Sequence, residues 1–109
     1  TIIDRGGYIW LALAGETAIG SAALMKEGDH EFELAKMAVA PAYRGKGISK
    51  ILIETCIEKA KDTGAKKLTL FSNHQLLTAL KLYEKYGFYH VPVVNSPFET
   101  ADVKMEKLL

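Results

Sequence analysis

The sequence has little of several features that would point to a special compartment or partner. Its single cysteine among 109 residues, Cys56, cannot form an internal disulfide, which is compatible with the cytoplasmic location that we expect. Gly15, Glu16, Gly20 and Lys26 interrupt the longest apolar runs, which stay short of the roughly 20 residues that a membrane-spanning helix needs. The 14 basic and 13 acidic residues leave a formal net charge of +1. We therefore expect neither nucleic acid nor a membrane as a partner.

Length and composition favour one globular domain. The chain is 49% hydrophobic and 25% charged, which is typical of soluble folded proteins, and its length suits one domain. No stretch rich in Pro, Gly or Ser divides it, so residues 1–109 are predicted to form one domain. The chain starts without Met or a signal pattern, which indicates that it begins inside a longer unit.

The pattern of apolar residues and turn residues predicts the order of the structural elements. Residues 8–14, 18–25 and 31–39 are predicted as three strands of an antiparallel meander. A helix that starts at Ile48 and ends at Gly64 leads to a strand at residues 67–71, which should run parallel to the third strand. A helix at residues 75–86 and strands at residues 88–94 and 101–108 follow. The predicted fold is a mixed α/β sheet.

The segment after the third predicted strand has the features of a phosphate-binding loop. Pro41 ends the strand, Gly45 and Gly47 follow, and Arg44 and Lys46 add positive charges. A loop that enters a helix presents backbone N–H groups to an anion, and the helix dipole adds roughly half a positive charge there. Glycines let the anion approach closely because they have no side chain. The sequence therefore predicts a phosphate-containing ligand at this loop.

Two common phosphate ligands fit the loop poorly. A dinucleotide-binding Rossmann motif needs a third glycine, but Lys50 stands there, and the next strand ends in Ser72 and Asn73 without the acid that binds ribose. The spacing of a P-loop, with four residues between its glycines and then Lys and Ser or Thr, is found nowhere in the chain. Nicotinamide cofactors and nucleoside triphosphates are thus disfavoured.

Two stretches resemble the signature motifs of GNAT N-acetyltransferases. Residues 44–49, Arg-Gly-Lys-Gly-Ile-Ser, resemble the acetyl-coenzyme A motif Q/R-x-x-G-x-G/A, with Ser49 in place of the last glycine or alanine. Residues 82–88, Leu-Tyr-Glu-Lys-Tyr-Gly-Phe, resemble the L-Y-x-x-x-G-F signature near the end of the same fold. The resemblance covers residues 8–109 and implies the GNAT acyl-CoA N-acyltransferase fold without its first strand and the two helices that follow it.

The resemblance implies acetyl-coenzyme A as the cosubstrate. The third strand would separate from its parallel neighbour, so that the pantetheine arm lies between them and the pyrophosphate lies on the glycine loop. Asn73 would contact the cofactor or order a water, although it could equally cap the following helix. The implied cofactor-binding residues are Met37, Val39, Arg44, Gly45, Lys46, Gly47, Ile48, Ser49 and Asn73.

The resemblance also implies an N-acetyltransferase mechanism in which a primary amine of a small molecule, peptide or protein attacks the thioester directly in a ternary complex. Tyr83 matches the tyrosine that protonates the departing coenzyme A sulfur; the alternative is a core aromatic beside Leu80. Glu33 matches the position of a glutamate that acts as the general base. Alternation along the strand predicts that it faces the same side of the sheet as Met37; the alternative is a solvent-facing carboxylate. Glu31 is the reserve candidate, and other members of the family use water chains instead.

Three further expectations concern binding and assembly. His30, His74 and His90 have no metal-ligand spacing, so we expect no metal site. A non-catalytic module that binds coenzyme A or regulates another protein is the alternative to an enzyme. An uncovered first strand would leave unpaired backbone groups at the sheet edge, which favours a homodimer.

Overall fold

The computed structural model describes residues 6–93 and 101–109. These residues form one sheet in the order β1-β2-β3-β4-β6-β5, with β3 and β4 parallel and the other neighbours antiparallel. The mixed α/β fold predicted from the sequence is confirmed. The elements are β1 (Tyr8–Ala14), β2 (Thr17–Gly28), β3 (Glu31–Val39), α1 (Ile48–Asp62), β4 (Lys67–Ser72), α2 (Leu77–Lys85), β5 (Tyr89–Val91) and β6 (Val103–Leu108), with a 3-10 turn at Pro41–Tyr43.

Three elements are shorter than predicted, one of which is β6, which begins at Val103 rather than at residue 101. Helix α2 begins at Leu77 rather than at residue 75, because Asn73 forms a turn ahead of the helix: its Oδ1 accepts the N–H of Gln75 at 2.8 Å, and its carbonyl accepts the N–H of Leu76 at 3.0 Å. Strand β5 covers residues 89–91 of the predicted strand 88–94. Residue 94 lies outside the described residues.

Strand β3 contains a bulge. Ala35 lies opposite Ala23 of β2, and Ala38 lies opposite Ser21, so β3 has one more residue than β2 between these two pairs. Lys36 is in this interval and has a φ of 54°, a conformation that residues other than glycine rarely adopt. An extra residue reverses the alternation of side chains along the rest of the strand.

The bulge corrects one sequence prediction. Glu33 precedes it, and Met37 and Val39 follow Lys36, so Glu33 faces the opposite side of the sheet from these two residues. Val39 lies opposite Gly20 in the sheet, and a Cβ placed on Gly20 would lie beside the side chain of Ile48. Val39 therefore faces α1. The prediction that Glu33 shares a face with Met37 is therefore wrong. The prediction assumed that side chains alternate strictly along β3, and the additional residue in the bulge breaks this alternation.

Both helices pack on one face of the sheet. The buried face of α1 comprises Leu52, Ile53, Cys56, Ile57 and Ala60, and α2 contributes Leu80 and Tyr83 to the same core. The Tyr86 hydroxyl bonds to Glu54 of α1, which ties the two helices together. Burial raises the pKa of the Cys56 thiol to about 12.

Strand β1 is an edge of the sheet and pairs with β2. Its residues alternate between two environments. Tyr8 and Trp10 pack against the core with their rings 5.9 Å apart, whereas Ile9, Leu11 and Leu13 point to the other face and are 47%, 60% and 60% exposed. The face of the sheet opposite the helices therefore carries an apolar stripe along β1.

Candidate functional site

Strands β3 and β4 separate from each other at their carboxyl ends. They pair at Glu31–Lys67, Phe32–Leu68 and Glu33–Thr69, and beyond that point a cleft of about 340 Å³ opens. Its lining comprises residues 34–37 of β3, residues 70–73 at the end of β4, Leu76, Tyr83 of α2, and Ala101 ahead of β6. The predicted separation of the two strands is present.

A second cavity, of about 530 Å³, lies beside the start of β1. It is lined by residues 6–10 and by Lys59, whose ammonium lies 4.8 Å from the centre of the Tyr8 ring. Although this cavity is larger, it includes no residue of either sequence motif. We therefore assign the candidate site to the cleft between β3 and β4.

Tyr83 lines the cleft from α2. It lies one turn from Leu80, both belong to the buried stripe of the helix, and Tyr83 is 9% exposed. Its ring packs edge-on against Phe88, with the centroids 6.0 Å apart. Burial raises the pKa of the Tyr83 hydroxyl, so the group keeps its proton at neutral pH. Tyr83 is thus both a core aromatic and part of the cleft lining.

The glycine loop between β3 and α1 has an open surface. Gly45 and Gly47 have φ angles of 78° and 82°, and a Cβ at either position would meet nothing within 4 Å. Glycine is favoured at both positions because of the positive φ, and not because a side chain there would clash with neighbouring atoms. Gly47 is the N-cap of α1, no side chain caps the helix, and its first turn contains no acidic residue. This helix start is suited to an anion.

The charged side chains of the loop have different neighbours. The Nε of Arg44 donates to the carbonyl of Val39 at 3.1 Å and so holds the loop against the end of β3. The Lys46 ammonium lies 5.5 Å from the centre of the Tyr43 ring. Arg44 and Lys46 are exposed, and the half-buried Ile48 and Ser49 form the first turn of α1. Two cationic side chains thus flank the uncapped helix start.

The residues predicted to contact the cofactor from the strands differ in position. Met37 and Asn73 line the cleft from opposite sides, whereas Val39 is buried and is not part of the lining. The side chain of Asn73 also forms the turn ahead of α2, as described above. Asn73 therefore has a structural role and a place at the cleft.

Glu33 lies at the last β3–β4 pair, where the cleft begins, and it is 8% exposed. Burial raises the pKa of its carboxyl, the nearby Glu27 raises it further, and Lys36 lowers it. Glu31, the reserve candidate, forms an ion pair with Lys67 at 3.3 Å. Of the two predicted catalytic residues, Tyr83 lines the cleft and Glu33 lies at its closed end.

A contact that the sequence did not predict joins the segment after β4 to the segment ahead of β6. The carboxylate of Asp102 accepts the backbone N–H of His74 through Oδ1 at 2.8 Å, and its Oδ2 contacts the imidazole Nδ1. The two residues are 28 positions apart. No local sequence signal could have revealed this contact, because it depends on how β4 and β6 pair.

Metal-ligand clusters and membrane-spanning helices are both absent from the part of the chain that the structure describes. No group of three or more His, Cys, Asp or Glu side chains within residues 6–93 and 101–109 is arranged to hold a metal ion. Over the same residues, neither helix has the length and apolar character needed to cross a membrane.

Comparison with protein families gives a match to the model described as "Acetyltransferase (GNAT) family" over residues 2–88. N-acetyltransferase 8B of Rattus norvegicus is 33% identical over 90 residues, which are 78% of this chain and 40% of that protein. N-acetylaspartate synthetase of Xenopus tropicalis is 38% identical over 91 residues, which are 83% of this chain and 34% of that protein. The chain thus spans less than half of these curated relatives.

Solved structures of the same family are similar in fold. An acetyltransferase of the GNAT family from Staphylococcus aureus Mu50 aligns with a TM-score of 0.90 and 20% identity, over 97% of this chain and 70% of that one. A GNAT family acetyltransferase from Elizabethkingia anophelis with acetyl-CoA bound aligns with a TM-score of 0.82 and 25% identity, over 99% of this chain and 79% of that one.

Proposed function

Because this chain belongs to the GNAT family of acetyltransferases, we propose that it binds acetyl-coenzyme A and transfers the acetyl group to a primary amine. The observation that carries the proposal is the cleft between β3 and β4, which Tyr83 lines, together with the uncapped start of α1 at Gly47. The cleft provides a channel with a proton donor. The start of α1 provides backbone N–H groups that can bind a pyrophosphate.

The cosubstrate would supply an activated acetyl thioester. Backbone N–H groups of residues 45–49 would hold its pyrophosphate, and Arg44 and Lys46 would add positive charge. Backbone groups near Met37 and Val39 would pair with the pantetheine arm, and Asn73 would contact it from the β4 side. The open space beside Gly45 and Gly47 supports this arrangement, since no atom of the described residues other than the chain neighbours lies within 4 Å of a Cβ placed at either glycine.

Tyr83 is the proposed general acid. A thiolate leaving group needs a proton, and a buried phenol that stays protonated at neutral pH can provide it. Burial raises the pKa of Tyr83, so the hydroxyl carries a proton when the thiolate departs.

Glu33 is the proposed general base. An attacking amine has to lose a proton, and a carboxyl whose pKa is raised by burial is a stronger base than an exposed one. Glu31 is less suited, since Lys67 already pairs with it. Because Glu33 lies at the closed end of the cleft, it could accept the proton through a water molecule.

The acceptor is proposed only as a primary amine of a small molecule, peptide or protein. The name of the Xenopus tropicalis relative, N-acetylaspartate synthetase, makes aspartate a reasonable member of a first acceptor screen. A cytoplasmic location and a homodimer remain proposals. The apolar stripe on β1 supports the homodimer, and light scattering of the purified chain tests it.

Isothermal titration of acetyl-coenzyme A and free coenzyme A, with NADH and ATP as controls, tests the proposal. We expect the two coenzymes to bind in the micromolar range, which is usual for enzyme substrates, and the controls not to bind. A chain that binds none of the four contradicts the assigned ligand. Release of coenzyme A that depends on an added amine then separates an enzyme from a module that only binds the cofactor.

A further inference from the structure

The wall of the cleft on the β4 side is formed by a segment with few core contacts. Ser72 and Asn73 are half-buried, and residues 74–78 are exposed. Helix α2, which follows, has no side-chain cap on its N-cap residue Leu76 and no acidic residue in its first turn. Hydrophobic packing and helix capping therefore do little to fix this segment.

Polar contacts hold the segment instead. The pairing of β4 with β6 ends at Ser72 and Val103. Immediately beyond, both oxygens of the Asp102 carboxylate contact His74, one at the backbone N–H and one at the imidazole. Asp102 thus extends the connection between the two strands by one side chain. These contacts lower the pKa of Asp102, the backbone N–H of His74 being the main cause.

The neighbours of this pair belong to the cleft. Asn73 precedes His74 and Ala101 precedes Asp102, and both Asn73 and Ala101 line the cleft. The next two amides, of Gln75 and Leu76, are bound by Asn73 itself. The orientation of Asn73 therefore depends on a turn of which one end is fixed by Asp102.

We propose that Asp102 is a positioning residue, which acts through His74 to fix Asn73 and the β4 wall of the cleft for binding of the acyl donor. The inference rests on the proposed function, since it assigns acetyl-coenzyme A to this cleft. Two bonds from one carboxylate to one residue define an orientation better than a single contact does. The chemistry itself does not involve Asp102.

The test compares variants of Asp102 with a matched pair elsewhere. His90 and Glu84 form an exposed histidine–carboxylate contact at 3.3 Å, and neither residue lines the cleft. Asp102→Ala should weaken acetyl-coenzyme A binding roughly fivefold, as expected for loss of an exposed charged contact, and raise KM with little change in kcat. His90→Ala should leave both values unchanged.

Two conservative variants separate the backbone contact from the imidazole contact. Asp102→Asn keeps an oxygen for the His74 N–H, and His74→Ala keeps that N–H, so each should weaken binding, but less than Asp102→Ala does. If Asp102→Ala fails to fold, these two variants still decide the matter: both should weaken binding measurably, and wild-type affinity in both overturns the proposal.

Amide hydrogen exchange provides a readout that needs no ligand. Asp102→Ala should speed exchange at residues 74–76, whereas His90→Ala should not. Unchanged exchange in Asp102→Ala overturns the inference even if acetyl-coenzyme A binds as proposed. If the wild-type chain binds no acetyl-coenzyme A, the proposed function fails, while the exchange rates still show whether Asp102 fixes the wall.

Discussion

The turns ahead of the two helices differ, although each helix follows one of the two parallel strands and begins near the carboxyl end of that strand. Helix α1 starts at Gly47 with no side-chain cap and with open space beside the glycines. Ahead of α2, the N–H groups of His74, Gln75 and Leu76 are bound by Asp102 and Asn73. Neither helix has a side-chain cap, but the loop ahead of α1 leaves space for an external anion, whereas the turn ahead of α2 is held by the protein's own oxygens. We infer that the start of α1 binds the cosubstrate, whereas α2 holds the proposed proton donor, Tyr83, at the cleft.

The largest expected effect tests the contribution of α2. Tyr83→Phe removes the proposed proton donor and keeps the ring, so kcat should fall roughly 100-fold, with the affinity for acetyl-coenzyme A unchanged. Steady-state kinetics and titration calorimetry measure the two quantities. Tyr86→Phe is the control, because its hydroxyl bonds to Glu54 outside the cleft, and it should keep kcat. Equal rates for wild type and Tyr83→Phe would remove Tyr83 from the mechanism.

The next effect tests the contribution of α1. Gly47→Leu should weaken acetyl-coenzyme A binding by about tenfold or more, since a side chain there blocks hydrogen bonds to a charged phosphate. Gly64→Leu is the matched control: Gly64 has a φ of 84°, close to the 82° of Gly47, and a Cβ at either position meets nothing within 4 Å. Both variants should lose about 1–2 kcal/mol of stability from backbone strain. Equal cofactor affinities in the two variants would contradict the assignment of the pyrophosphate.

The smallest effect concerns Glu33, which lies at the last pair of β3 and β4. Burial raises its pKa above the ordinary value of 4.5, so its contribution to stability is present below that pH and is lost as pH rises through the folded-state value. Glu33→Gln has no such loss. Its free energy of unfolding relative to wild type should therefore increase with pH across this window and then level off.

Denaturant unfolding at several pH values measures this difference. Glu31→Gln is the control on the same strand; it should be less stable than wild type, because it loses the ion pair with Lys67. A relative stability of Glu33→Gln that does not change with pH would mean that Glu33 is solvated like an ordinary surface carboxylate.

Local signals in the sequence explain why the order of elements was predictable. Turn residues and the apolar period identify the strands and helices, and the glycine loop with its two charges indicates an anion site. Such signals depend on neighbours in the chain. The predicted placement of Gly47 at the start of α1 and that of Tyr83 on the buried face of α2 belong to this class.

Two features of the site have no local signal. The bulge at Lys36 reverses the face of Glu33 relative to Met37, and a lysine is not a residue that normally marks a positive φ. The contact between Asp102 and His74 requires the pairing of β4 and β6, which are far apart in the sequence. Both features arise from how β3 and β6 pair with their neighbours, and this pairing is specified by the whole sheet.

The position of Cys56 has a practical consequence for measuring the activity. Acetyl transfer would release a free thiol, which a chromogenic disulfide reagent detects. The only cysteine of the chain is fully buried in α1, and the pKa of its thiol, about 12, leaves almost no reactive thiolate at neutral pH. The folded protein should therefore give a low background in such an assay, and a slow rise in signal without acetyl-coenzyme A would report exposure of Cys56 by unfolding.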